Sequence, residues 1–69
     1  MKRFWIYGTQ SCSFCKKAVE LVTAKGHIPV YIDLTDKPEW RRADWSTVPQ
    51  VYDGGRHVGG YAELEQELA

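Results

Sequence analysis

Residues 11–17, SCSFCKK, hold both cysteines of the chain, Cys12 and Cys15. Two cysteines at this spacing can hold a metal, form a structural cross-link or carry out redox chemistry. Their surroundings indicate a strand-to-helix junction. The apolar run 4–7 predicts a strand buried on both faces, which Gly8 ends. After the first cysteine, apolar residues recur at the spacing of one helix face: Phe14, Ala18, Leu21 and Val22.

The rest of the chain predicts a small α/β fold. Gly26 ends the first helix, and Asp36 with Glu39 resembles a capping box that opens a second one. The predicted strands are 4–7, 28–34, 50–52 and 56–58, and the later helices are 37–44 and 61–68. The order β-α-β-α-β-β-α predicts a four-stranded mixed sheet flanked by helices. Its first β-α-β unit is expected to be a right-handed crossover between parallel strands.

Length and charge exclude several classes of protein. The 69 residues predict a single domain, and nine basic residues balance nine acidic ones. A neutral chain argues against a nucleic-acid binder that neutralises phosphates. The sequence has no transmembrane run, and its apolar start is too short for a signal peptide. We therefore expect a cytoplasmic protein, in which a catalytic disulfide is more common than a stable one.

The two cysteines have different predicted roles. Cys12 precedes the first helical turn, whose backbone N–H groups have no partners within the helix and favour a thiolate. Lys16 and Lys17 add positive charge, and the Ser13 hydroxyl could donate a hydrogen bond. Cys12 is therefore the predicted nucleophile. Cys15 lies one turn later, and a bridge between them closes so short a loop that it stabilises the fold by only about 2 kcal/mol.

A zinc site is the other reading of the cysteine pair. Structural zinc takes four ligands, and the chain adds only His27 and His57 to its two cysteines. These histidines do not repeat the spacing of a zinc finger. We therefore predict no mononuclear metal site, and we expect His27 at the surface and His57 in the hairpin.

Three motifs appear in one order along the chain: Cys12-Ser13-Phe14-Cys15, Thr47-Val48-Pro49-Gln50-Val51 and Gly59-Gly60-Tyr61. In this combination the sequence resembles the glutaredoxins over nearly its whole length. It resembles a compact form of the kind common in phages and bacteria. The resemblance implies a thioredoxin-like fold and a thiol–disulfide oxidoreductase with Cys12 and Cys15 as the catalytic pair.

The resemblance also implies a binding groove. It implies a cis peptide bond before Pro49 and a Val48 backbone that pairs with a bound cysteinyl peptide. It implies that Gly59 and Gly60 open a carboxylate site at the last helix. The alternatives are an ordinary strand start at Pro49 and a plain turn at Gly59 and Gly60. For Tyr7 and Trp40 the alternative is core packing. The implied substrate or glutathione contacts are Tyr7, Thr9, Ser13, Phe14, Thr47, Val48, Pro49, Gly59, Gly60, Tyr61 and Ala62.

Two departures from the family pattern bear on the partner. Thr9 stands where many glutaredoxins have a lysine, and Tyr61-Ala62 replaces a polar residue followed by aspartate, with Glu63 next. Glutathione affinity is therefore expected to be weak, and a redoxin recycled by thioredoxin reductase is an alternative. Ser13 stands where proline is commonest. Variants of that kind more often carry a [2Fe–2S] cluster between two subunits, with Cys12 as the ligand here.

The expected reaction is disulfide exchange. The Cys12 thiolate attacks a substrate disulfide, and Cys15 then displaces the reduced substrate. Glutathione is the expected reductant, no tightly bound cofactor is expected, and the family suggests ribonucleotide reductase as a protein substrate. The protein is expected to be a monomer in the cytoplasm, or in the host cytoplasm if it is encoded by a virus.

Overall fold

The predicted fold class is confirmed by a computed structural model, which describes residues 1–69. A four-stranded mixed sheet carries two α-helices. The elements in chain order are β1 (Arg3–Gly8), α1 (Ser13–Ala24), β2 (Ile28–Asp33), β3 (Gln50–Asp53), β4 (Arg56–Gly59) and α2 (Tyr61–Leu68). Neither helix combines the length and the apolar composition that crossing a membrane requires.

The sheet has the strand order β2-β1-β3-β4. Strands β1 and β2 are parallel, whereas β3 runs antiparallel to β1 and forms a hairpin with β4. Two parallel neighbours need a crossover connection, and α1 supplies it. The helix therefore begins next to the carboxyl end of β1, where Gly8 lies. This connection brings Cys12 to the edge of the sheet.

The core lies between the sheet and both helices. Phe4 and Ile6 on β1, with Val51 on β3, are completely buried against the helices. The helices contribute buried side chains to the same cluster: Ala18, Val22 and Leu64. Burying a large apolar side chain is worth about 1.5–3 kcal/mol, so this face of the sheet supplies much of the stability.

The opposite face of the sheet is only half covered, which corrects the prediction that the first strand is buried on both faces. Trp5 and Tyr7 on β1 are half-buried rather than enclosed. Trp45, from the loop before β3, packs its ring 5.1 Å from that of Tyr7, and Tyr52 lies 5.8 Å from Tyr7 on the other side. Both helices lie on the other face, so aromatic rings and one loop cover this one.

The predicted helix over residues 37–44 is wrong. The segment forms a single 3₁₀ turn, Pro38–Trp40, with no side-chain cap, and the Asp36 N–H instead donates to Asp33 O in a turn. None of the residues in the turn is buried, and Trp40, one predicted core residue, is 52% exposed. A helix of this length needs an apolar face packed on something, and this charged segment offers none.

Gly8 lies in a space too small for any side chain. A Cβ at this position would lie 2.5 Å from Cys15 Sγ and 2.6 Å from the Tyr31 hydroxyl oxygen. We predict that Gly8→Ala lowers the free energy of unfolding by about 1–3 kcal/mol, because the strand or its neighbours must shift. Urea denaturation of the oxidised protein measures the change.

Gly55→Ala is the matched control for this substitution. A Cβ on Gly55 would meet nothing within 4 Å, so its free energy of unfolding should stay within about 1 kcal/mol of wild type. Equal losses in the two variants would contradict the crowding at Gly8.

Candidate active site

The cysteine pair occupies the first turn of α1. Cys12 is the N-cap residue, with extended backbone dihedrals, and its sulfur accepts a hydrogen bond from the Cys15 N–H at 3.1 Å. The two Cα atoms are 5.2 Å apart and the sulfurs are bonded as a disulfide. The N-cap conformation turns the Cys12 side chain back over the helix end. An unpaired N–H of the first turn therefore points at the sulfur, as the sequence predicts.

The two sulfurs differ in accessibility. Cys15 is completely buried, whereas Cys12 is partly exposed. A substrate disulfide can therefore reach Cys12 directly, and Cys15 can act only on what is bonded to Cys12. This asymmetry matches the predicted roles of attacking and resolving cysteine.

The polar groups that were expected to assist Cys12 contribute unequally. No acidic residue lies in the first turn of α1, so the positive helix end is not neutralised. Lys17 places its ammonium 5.0 Å from the centre of the Phe14 ring. The Ser13 hydroxyl makes no hydrogen bond to either sulfur, which corrects that expectation; Ser13 is exposed.

The loop before β3 approaches the cysteine pair from the other side. The Val48–Pro49 peptide bond is cis, and the Val48 carbonyl oxygen lies 3.8 Å from Cys12 Sγ. Val48 makes no backbone hydrogen bond within the fold.

Gln50 holds this loop in place, a role that sequence reasoning missed; its one signal is a polar side chain in a buried strand. The residue is only 8% exposed. Its Nε2 donates to Thr47 O at 2.9 Å, and its Oε1 lies 2.7 Å from His57 Nε2. Because Thr47 directly precedes Val48, the amide fixes the segment that faces Cys12. His57 lies in the hairpin, as predicted.

An open groove of about 410 Å³ runs between this loop and the start of α2. It brings together most of the predicted contact residues, Phe14, Thr47, Val48, Pro49, Gly60, Tyr61 and Ala62, and adds Glu63 and Glu65. Ser13 and Gly59 do not line it. Phe14 and Tyr61 form its aromatic end, with ring centres 5.6 Å apart.

Tyr7 and Thr9 lie outside this groove. Tyr7 packs in the aromatic cluster on the opposite face of the sheet. Thr9 lines a second open groove, beside α1 and β2, with Lys16, Tyr31 and Asp33. The Thr35 backbone N–H donates to Asp33 and holds the pKa of that carboxyl below its usual value.

Glu63 occupies the helix end where the resemblance implies a carboxylate site for a ligand. Its Oε1 accepts the Gly60 N–H at 2.8 Å, which is the Glu63 half of a capping box, since glycine has no side chain to return the bond. A Cβ on Gly59 would lie 2.7 Å from Glu63 Cγ, so the two glycines make room for this side chain. The chain's own carboxylate therefore occupies the Gly60 N–H at this helix end. The spacing from Gly60 to Glu63 is the signal that could have indicated it.

The donor groups of the chain do not assemble a metal centre. No three His, Cys, Asp or Glu side chains converge anywhere in the chain. His27 Nδ1 accepts the Lys2 backbone N–H, and His57 faces Gln50. For the iron–sulfur cluster between two subunits that the resemblance raises, this chain offers one accessible sulfur, that of Cys12, and the other ligands would come from a second copy and from glutathione.

The comparisons with known proteins agree with this geometry. Residues 5–58 match the glutaredoxin family model. The glutaredoxin of Pseudomonas aeruginosa is 39% identical over 64 residues, which cover 86% of this chain and 76% of that protein. The hybrid peroxiredoxin hyPrx5 of Haemophilus influenzae is 37% identical over 68 residues, which cover 93% of this chain but only 28% of that longer protein.

A solved structure shows the same arrangement of elements. The glutaredoxin of Brucella melitensis, known from its solution structure, superimposes with a TM-score of 0.78 at 34% identity, over 96% of this chain and 77% of that one. The family model, the relatives and the fold all indicate the same family as the cysteine pair and the loop that faces it. This chain belongs to the glutaredoxin family.

Proposed function

We propose that the protein is a dithiol oxidoreductase that reduces protein disulfides and glutathione mixed disulfides through Cys12 and Cys15. One observation carries the proposal: an accessible cysteine at a helix N-cap is paired with a completely buried one. Such a pair can accept two electrons from its reductant and pass them to a substrate without any bound cofactor.

The first step is attack by the Cys12 thiolate on a substrate disulfide. A bond forms between Cys12 Sγ and one substrate sulfur, and the other sulfur leaves as a thiolate. The Cys15 N–H, which donates to Cys12 Sγ, stabilises the anion before the attack. The amide and carbonyl of Val48, beside the same sulfur, align the substrate backbone as an added strand would be aligned.

The second step resolves the mixed disulfide. Cys15 attacks Cys12 Sγ, the Cys12–substrate bond breaks, and the substrate leaves reduced while the Cys12–Cys15 disulfide forms. Because Cys15 lies directly beneath Cys12, this attack needs no rearrangement of the helix. A reductant then restores the dithiol.

Glutathione is the reductant that family membership favours. A second candidate is recycling by thioredoxin reductase, and the structure offers a reason to consider it. The groove carries two carboxylates, Glu63 and Glu65, and Glu63 already occupies the Gly60 N–H. An anionic tripeptide meets both like charge and an occupied helix end there.

The proposal also covers the domain organisation, the oligomeric state and the location of the protein. We propose that residues 1–69 act as one domain and as a monomer in a reducing cytoplasm, that of the host if a virus encodes the chain. Ribonucleotide reductase is a candidate protein substrate because its turnover requires disulfide reduction. These statements rest on the family and on the sequence.

Substitution of each cysteine separates the two steps. Cys12→Ser should lower kcat/KM for every disulfide substrate by at least about a thousandfold, because the nucleophile is lost. Cys15→Ser should retain reduction of a glutathione mixed disulfide within about tenfold but lose reduction of protein disulfides. The assays follow NADPH oxidation through a coupled reductase. Activity that survives Cys12→Ser but not Cys15→Ser would reverse the roles.

Two coupled assays on one disulfide substrate decide the electron source. One supplies glutathione with glutathione reductase, the other thioredoxin reductase, both with NADPH. Under the favoured proposal, turnover is faster with glutathione by about tenfold or more. Turnover with thioredoxin reductase alone would establish the second candidate instead and leave the dithiol chemistry intact.

Glu63→Gln tests the charge of the groove. A glutamine oxygen can still accept the Gly60 N–H, so the helix keeps its cap while the negative charge is lost. We expect KM for a glutathionylated peptide to fall about two- to fivefold and KM for the neutral hydroxyethyl disulfide to stay unchanged. Glu39→Gln, on the 3₁₀ turn and outside the groove, is the control. Equal effects on both substrates would count against a role for this charge.

A further inference from the structure

The Tyr31 hydroxyl lies close to the buried sulfur of Cys15. A Cβ built on Gly8 would lie 2.5 Å from Cys15 Sγ and 2.6 Å from the Tyr31 oxygen, so these two atoms are at most about 5 Å apart. Tyr31 is the neighbour of Ile6 in the register of the parallel strands, so both residues share the face that carries the helices. The absence of a side chain at Gly8 is what lets the hydroxyl and the sulfur face each other.

The hydroxyl has one hydrogen, an acceptor that it already meets and a second candidate acceptor, the sulfur, nearby. In the disulfide form it donates to the Thr9 carbonyl oxygen at 2.8 Å. That carbonyl also accepts the Cys12 N–H, at 3.4 Å, so it keeps a partner when the hydroxyl turns away. A sulfur in a disulfide is a weak acceptor, whereas a thiolate is a strong one. Reduction of the pair therefore changes which acceptor the hydroxyl prefers.

The resolving step needs such a donor. Cys15 must lose its proton to attack Cys12, yet its side chain is completely buried, and a buried anion is unfavourable without a hydrogen bond. The charged groups around Tyr31 are Lys16 and Glu20 on α1 and Asp33 on β2. Burial and the nearby Asp33 raise the pKa of Tyr31, which keeps the phenol protonated and able to donate.

We propose that Tyr31 is a positioning residue for the resolving step: its hydroxyl turns from Thr9 O to Cys15 Sγ on reduction and hydrogen-bonds to the attacking thiolate. The inference rests on the proposed function. In the step, the Cys15 thiolate forms the bond to Cys12 Sγ and the Cys12–substrate bond breaks. The substrate thiolate that leaves takes up a proton in place of the one that Cys15 lost to solvent. Tyr31 ends the step as it began, protonated and again free to donate to Thr9.

Stopped-flow reaction of the reduced protein with dithionitrobenzoate separates the two sulfurs. Attack by Cys12 releases the first thionitrobenzoate at a rate that depends on reagent concentration. Attack by Cys15 on the mixed disulfide releases the second at a rate that does not. We expect Tyr31→Phe to slow the second release about tenfold at neutral pH and to leave the first within about twofold. Raising the pH should shrink the loss, because Cys15 then ionises without the hydroxyl.

The controls distinguish this role from simpler ones. Tyr52→Phe removes a hydroxyl on the opposite face of the sheet and should change neither release. Cys15→Ser should abolish the second release, which assigns it. The first release in the same molecules serves as the reference if Tyr31→Phe is less stable, since it depends on the same fold.

Two results would overturn the inference. Equal slowing of both releases would show that the hydroxyl acts through Thr9 on the loop that carries Cys12. An unchanged second release would show that it does not act on Cys15. A wild-type protein that releases no thionitrobenzoate would contradict the proposed function itself, and this inference with it.

Discussion

Parallel pairing of β1 with β2 places the reactive end of the molecule. Because the two strands run in the same direction, the chain must return through α1, and the helix must begin at the carboxyl end of β1. The N-cap position of that helix falls on Cys12, and one turn later Cys15 lies under the helix against Gly8. The helix end, the exposed sulfur and the buried sulfur all follow from one crossover.

The surroundings of the cysteine pair come from distant parts of the chain, and each is held by a polar contact. Gln50 fixes the turn that carries Val48, and Glu63 caps the helix that closes the groove. Tyr31 supports the loop before Cys12 through the Thr9 carbonyl. Hydrogen bonds hold the segments around the sulfur atoms, and the groove beside them is open.

Local pattern was sufficient to predict most of the fold. Apolar runs, helical spacing and the glycines at Gly8, Gly26 and Gly54 mark the elements and their ends, and the placement of the cysteines indicates their roles. The helix over residues 37–44 failed because a cap motif alone does not stabilise a helix that has no apolar face to bury. Burial on both faces of β1 failed because a continuous apolar run cannot show how much of the chain will cover the second face.

Contacts between distant residues were beyond sequence reasoning. Nothing in the neighbourhood of Tyr31 shows that its hydroxyl meets the space above Gly8, 23 positions earlier, because the sheet register creates that contact. The Gly60–Glu63 cap lies within one turn, so the spacing of these two residues could have predicted it. The resemblance instead predicts a ligand carboxylate at that position, where the chain places its own side chain.

The Glu63 carboxylate competes with an incoming anion for the Gly60 N–H at the start of α2. A tethered carboxylate faces the α2 terminus at an effective concentration on the order of millimolar or higher, because only two residues separate it from Gly60. An incoming anion that takes the same N–H must displace it. This competition at the Gly60 N–H is therefore present before any substrate arrives. It costs the fold nothing, because the same hydrogen bond stabilises the last helix.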